Sequence, residues 1–284
     1  MAKIIAIASH KGGSGRTTTA VNLGAYLAAH GRRTLVVDLD PQGNATMGLG
    51  AVVGRDDLSA MHVLLGDVSL ADVARPTALF GLDLVPATLN LGVFEERGSS
   101  LPEQEFTLAK LLRSVSEGYR YIVIDTPPSR GMLWSNALVA AERVLIPVQC
   151  EYYALRGVEQ FLELLSRHEE RFQMRPAVSG MVLTMYERWQ KLSQEMQKTL
   201  RERFPEYVFD VVIPRSVQLA EAPQSGKAIV QYAPDSAGAL AYRQLAREFL
   251  RREEGSAAGQ DAGKRSERWW RRLPMVTRLF GQEE

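Results

Sequence analysis

Nine residues, Lys11 to Thr19, read KGGSGRTTT: a lysine, three glycines, a serine, an arginine and three threonines. Glycines at this density let the main chain turn so that successive N–H groups point inward. A helix opening directly behind them adds the positive end of its dipole. The ligand that suits such a cradle is an anion, phosphate above all. In the spacing G-x-x-x-x-G-K-[ST] the lysine reaches the terminal phosphates of a nucleotide and the hydroxyl reaches Mg2+. Here Thr17 supplies the hydroxyl, and Arg16 stands in the lysine's place.

Three carboxylates end two β-branched runs: Asp38 and Asp40 in TLVVDLD, and Asp125 in YIVID. Acids at the carboxyl ends of parallel strands can hold a metal, orient a water or cap the next helix. Asp38 taken alone reads as a cap. Asp40 and Asp125 close two different strands, where open α/β sheets bind ligands. Phosphoryl transfer asks for positioning and positive charge more than for covalent chemistry, and a metal ion, a cation and a water-orienting carboxylate supply that.

The elements that must position these groups alternate. KIIAIAS, RTLVVDLD, GLDLVPAT, YRYIVIDTPPS, RVLIPVQCEYY, AVSGMVLTMYE and YVFDVVIPRS read as strands. Helical patterns cover 17–30, 106–116, 157–172, 191–204 and 236–252. That alternation predicts an α/β fold: a doubly wound, mostly parallel sheet with helices on both faces, its loops gathered along the carboxyl edge of the strands. Residues 1–252 then form one domain. A small, polar stretch over 253–267 reads as a flexible linker, and 268–284, RWWRRLPMVTRLFGQEE, as a basic aromatic tail.

The 284 residues are 45% hydrophobic and 24% charged, as in ordinary globular proteins. The lone cysteine, Cys150, excludes an intramolecular disulfide and reads as a buried small hydrophobe. No secretory signal is visible, and no run approaches the ~20 apolar residues of a membrane span, so the expectation is a cytoplasmic protein. Net charge is only +1, and six Lys/Arg against three Asp/Glu fall between Lys264 and Glu284. The body is therefore slightly acidic, and any nucleic-acid binding by it must rest on a local patch.

The pattern K-G-G-x-G-[K]-T-T resembles the deviant Walker A motif of the ParA/MinD family of ATPases. VNLGAYLA, VVDLDPQGNAT, YIVIDTPPS, NALVAA, VLIPVQCEYYAL, TMYE, VIPRSVQLAEAP and GALAYRQLARE continue the resemblance, in the family's order, to about residue 252. They look like the chromosome-partitioning branch, ParA/Soj. The resemblance implies a P-loop nucleotide fold, ATP and Mg2+ as cofactors, and a homodimer formed with ATP. It also implies non-specific binding to double-stranded DNA, nucleoid association and a ParB-like partner that stimulates hydrolysis. By the same resemblance Gly12, Gly13, Ser14, Gly15, Arg16, Thr17 and Thr18 surround the phosphates. Lys11 reaches across the dimer to the partner's nucleotide, and Gly12 sits at the seam. Asp40 orients the attacking water, Thr17 and Asp125 hold Mg2+, and Pro127–Ser129 form a switch.

The chain departs from the family at two of these positions. Arginine is longer and planar, with a fixed fork of donors, where the loop normally wraps a compact ammonium. A misplacement of ~1 Å can cost on the order of 100-fold in rate, so the expectation is ATP binding with slow hydrolysis. The family's P-R-N near adenine is here Pro214, Arg215 and Ser216, with a shorter side chain at the third position.

Arg188, Lys191, Lys198, Arg201, Arg215, Lys227 and Arg243 are the candidate DNA contacts, while Gln218 and Trp189 stand where the family has arginines. In the tail, Trp269, Trp270, Leu273, Val276 and Phe280 could share one side of a helix with four arginines around them, interrupted at Pro274. A membrane surface and a partner protein fit this segment equally. Two rival functions stand beside the partitioning ATPase: a non-hydrolysing nucleotide-binding scaffold, favoured by Arg16 and Ser216, and a MinD-like membrane-associated positioning ATPase, favoured by the tail.

Overall fold

The computed structural model describes residues 1–98 and 103–255. Eight strands are β1 (Lys3–Ile7), β2 (Thr34–Asp38), β3 (Arg75–Pro76), β4 (Leu82–Val85), β5 (Tyr121–Asp125), β6 (Arg143–Gln149), β7 (Ala177–Tyr186) and β8 (Val208–Pro214). The helices are α1 (Arg16–Ala29), α2 (Asn44–Gly48), α3 (Ala60–Leu65), α4 (Leu70–Val73), α5 (Gly92–Gly98), α6 (Thr107–Val115), α7 (Met132–Ala140), α8 (Ala154–Phe172), α9 (Lys191–Arg203), α10 (Val217–Glu221), α11 (Ile229–Tyr232) and α12 (Ala237–Gly255).

The strands lie in the order β3-β4-β2-β5-β1-β6-β7-β8. Only β3, at the edge, runs antiparallel to its neighbour; the other pairings are parallel. The doubly wound, mostly parallel sheet expected from the alternation of elements is the one observed. The chain leaves β1 toward β2 on one side and later reaches β6 on the other. The loops after β1 and β5 therefore meet at the point where the winding reverses, the crevice where such sheets bind ligands.

Period-two side chains of the central strands split into two cores. Ile5, Ile7, Val36, Val123 and Leu145 face α1 and α12, packing on Leu23, Leu27, Tyr242, Leu245 and Phe249. Ala6, Leu35, Val37, Ile122, Ile124 and Ile146 face the opposite way, onto Phe94, Leu112, Trp134, Phe161 and Leu165. Burial on both faces is why these strands carry no polar alternation.

Cys150 is buried, and burial pushes its thiol up to about 12, as expected for a structural residue. One boundary differs from the sequence reading. Helix α12 continues past 252 to Gly255, because Glu253 is buried and pairs with Lys3 and Arg143. Three residues assigned to the 253–267 linker are thus helical. The rest of that stretch and the 268–284 tail lie outside the described residues. Among the described residues, no helix is long and apolar enough to cross a membrane.

Candidate nucleotide site

The loop between β1 and α1 turns on two glycines. Gly13 has φ 74° and Gly15 φ 88°, the left-handed region that side chains resist. Gly15 occupies the N-cap of α1 and offers no side chain to cap it. Among the described residues, the backbone N–H groups from Gly15 to Thr18 have no hydrogen-bond partner. These donors, at the positive end of a 14-residue helix, form a cradle for an anion. Its far wall is fixed by Thr184, whose Oγ1 donates to the Ser14 carbonyl at 2.8 Å. Gly12 and Gly13 are exposed, and a Cβ on either would meet nothing.

Arg16 is buried inside this loop and not pushed out of it. Its Nε donates to the Thr126 carbonyl at 3.2 Å, and its Nη1 to Ser9 Oγ at 3.1 Å and to the Lys11 carbonyl at 2.8 Å. The fork thus ties the glycine loop to the turn after β5. Burial lowers the guanidinium's pKa, while Asp125 and Asp40 act in the opposite sense.

Asp38 and Asp125 are register partners on β2 and β5, and both are fully buried. Asp38 is satisfied. Its Oδ2 accepts from the Thr46 N–H and hydroxyl at 2.8 and 2.7 Å, and its Oδ1 from the Asp40 N–H at 3.1 Å. The capping role read for it is the one it plays, at the start of α2. Burial still pushes it up to about 6. Asp125 is not satisfied: neither carboxylate oxygen has a hydrogen-bond partner. Burial, then the charge of Asp38, raises its pKa well above the ordinary value. The Thr17 hydroxyl leans toward it and offsets this only in part.

A buried, unpartnered carboxylate next to a threonine hydroxyl fits Mg2+, a hard cation that takes one or two protein oxygens and completes its shell with phosphate and water. Thr17 and Asp125, predicted together, are brought together. Asp40 is buried beside them, and its Oδ1 accepts from the Gln42 N–H at 3.0 Å. Lys11 stands exposed at the rim, ion-paired with Glu151 of its own chain.

The turn after β5 is held from several sides. Thr126 Oγ1 donates to the Ile7 carbonyl at 2.8 Å, and Arg130 donates to His10 Nδ1 at 2.8 Å. Glu95 accepts from the Met132 and Leu133 N–H groups at 2.8 and 3.1 Å, capping α7 from α5. None of Thr46, Thr126, Glu95, His10, Arg130 and Glu151 was singled out by sequence. The first two adjoin motif acids, but the others meet only through long-range packing.

The residues assigned to adenine are occupied otherwise. Ser216 N-caps α10, accepting from the Leu219 N–H at 3.4 Å, and donates to Gln218 at 2.9 Å. Arg215 is ion-paired with Glu187 at 2.6 Å, and Pro214 closes β8 opposite Tyr186.

Lys191 and Lys198 share a face of α9 but pair with Glu195 and Glu202 at 3.7 and 3.9 Å. Arg201 donates to the Asp210 carbonyl at 2.7 Å. Arg188 and Lys227 are exposed. Arg243 lies elsewhere, with Arg247 and Arg32 around His30.

Strand, glycine loop, helix and a metal-ready acid on the neighbouring strand define a P-loop nucleotide-binding protein. The model of the AAA domain family matches residues 2–178. The sporulation initiation inhibitor protein Soj of Bacillus subtilis is 43% identical over 87% of this chain and 98% of its own length. The chromosome partitioning protein ParA of Caulobacter vibrioides is 40% identical over 90% and 97%. Among solved structures, cobyrinic acid a,c-diamide synthase from Mycobacterium smegmatis, with a bound ATP analog and magnesium, superposes with a TM-score of 0.77 at 33% identity. It covers 90% of this chain and 97% of its own. The cell division ATPase MinD of Pyrococcus furiosus gives 0.71 at 25% identity, over 88% and 99%. The chain belongs to the ParA/MinD family of P-loop ATPases, and its curated relatives at 40% identity and above include partitioning proteins of the ParA/Soj branch.

Proposed function

We propose that this chain is a nucleotide-driven partitioning switch. It binds ATP with Mg2+, and two copies close around the bound nucleotides. The closed pair binds double-stranded DNA without sequence preference, and hydrolysis stimulated by a ParB-like partner releases it. The observation that carries this reading is Asp125, a buried carboxylate with both oxygens unpartnered, next to a loop of free N–H donors.

In this reading the donors from Gly12 to Thr18 bind the phosphate chain, and Thr17 and Asp125 hold the metal, which neutralises charge on the phosphates when bound. Asp40, fixed through one oxygen by Gln42, keeps the other for the attacking water. Lys11 leaves Glu151 and reaches the partner's nucleotide. Arg16 is anchored to three protein oxygens, so it cannot follow the transferring phosphoryl group, and turnover is slow. Arg188, Lys191, Lys198 and Lys227 supply the DNA surface, with steep salt dependence.

ATP binding and hydrolysis measured on one preparation, with light scattering with and without ATP, test the reading. Binding, slow turnover and an ATP-dependent dimer support it. Absence of nucleotide binding sinks it, and binding with no turnover at all turns it into the scaffold reading. The tail favours an added contact: two tryptophans and four arginines between Arg268 and Phe280 suit an anionic membrane. Co-sedimentation with anionic vesicles that is lost on deleting 264–284 supports that contact. Retention without the tail argues against it.

A further inference from the structure

The cleft holds much negative charge and little positive charge free to move. Asp38, Asp40 and Asp125 surround the loop, and Arg16 is fixed among them by three hydrogen bonds. A nucleoside triphosphate brings several more negative charges. Two further cations stand at the rim. One is Lys11, already paired with the carboxylate of Glu151. The other is Arg130.

Arg130 follows the TPPS turn, five residues after Asp125, and is exposed. Its Nη2 donates to Nδ1 of His10 at 2.8 Å. His10 is the residue that opens the glycine loop. To accept this bond, Nδ1 must carry no proton, so Arg130 is a full positive charge resting on an uncharged nitrogen. A phosphate oxygen is a stronger acceptor, because it adds a full negative charge opposite the guanidinium and can take two parallel N–H donors, where the imidazole nitrogen offers one neutral lone pair. Exchanging His10 for a phosphate breaks no ion pair, whereas Lys11 must abandon one.

We propose that Arg130 is a phosphate-binding residue of this site: it leaves His10 and pairs with the terminal phosphate of the bound nucleoside triphosphate. Arg16 stays at the base of the cradle, threaded to Ser9, Lys11 and Thr126. Arg130 rides on the turn after β5 and meets the end of the phosphate chain nearest the metal acid. The site thus restores from the switch turn the movable cation that the arginine at position 16 no longer provides. This assignment rests on the nucleotide reading above.

The test compares affinities for Mg·AMPPNP and Mg·ADP in the wild-type chain, Arg130→Gln and Arg130→Lys. Arg130→Gln weakens AMPPNP roughly 10- to 100-fold, the range of one charged hydrogen bond, and leaves ADP within about 2-fold. Arg130→Lys recovers part of the loss. His10→Ala removes the resting partner and keeps AMPPNP binding. Equal loss for both nucleotides, or loss for neither, overturns the assignment. AMPPNP binding that falls in His10→Ala as far as in Arg130→Gln also overturns it, since the pair is then a structural latch. A wild-type chain that binds neither nucleotide overturns the ATP reading itself, and this assignment with it.

Discussion

Asp38 and Asp125 stand opposite each other across β2 and β5, yet Asp38 accepts three hydrogen bonds and Asp125 none. The sheet brings two buried carboxylates together and satisfies only one. The other is left for a ligand, at a cost to the empty protein.

That cost gives a pH dependence. Both acids have pKa values raised on folding, Asp38 from 3.8 to about 6 and Asp125 well upward. The folded state binds these protons more tightly than the unfolded chain does. Stability of the nucleotide-free protein therefore falls as pH rises from about 4 through about 6 and beyond. Asp125→Asn removes the buried charge, so its melting temperature exceeds wild type at pH 7.5 and falls less steeply from pH 4. A wild-type curve parallel to that of the variant would falsify the assignment. The same variant should lose Mg·ATP affinity.

Arg16→Lys should raise ATP turnover severalfold or more, toward the ~100-fold scale of a positional error. It also gives up hydrogen bonds to Thr126, Ser9 and Lys11, so the folded state weakens by about 1–3 kcal/mol. Single-preparation kinetics and thermal melts read both effects. Turnover in wild type equal to or above that of the variant would remove the geometric argument.

Asp40→Asn keeps an acceptor for the Gln42 N–H and loses only the charge. ATP affinity and ATP-dependent dimerisation should persist while hydrolysis drops at least 100-fold, the scale of a general-base contribution. If affinity fell instead, Asp40 would be a binding group.

Lys11→Ala should leave a folded monomer that binds ATP but does not dimerise with it. The cis pair with Glu151 is exposed, so its loss costs no more than ~1 kcal/mol of stability. Light scattering decides, and an ATP-induced dimer in the variant rules out the contact across the seam.

The amino-acid order alone determined the sheet class and the phosphate loop, and the family resemblance added the expectation that Thr17 and Asp125 act together. The first two are local: a strand run of period two or fully apolar, and a glycine spacing. It also marked Asp38 as a cap, because acids at strand ends most simply serve the next helix. Only tertiary structure decided how Arg16 fits, since its acceptors include a carbonyl 110 residues away. The His10–Arg130 and Glu95–α7 contacts likewise join segments far apart in the chain, and no periodicity encodes them. Tertiary structure also set the contacts of residues the sequence had assigned. Ser216 caps a helix, Arg215 and Arg201 have partners, and Arg243 sits apart from α9. A charged or polar residue type shows what it can bind, but which acceptor lies within about 3 Å of it is set by how the chain folds back on itself.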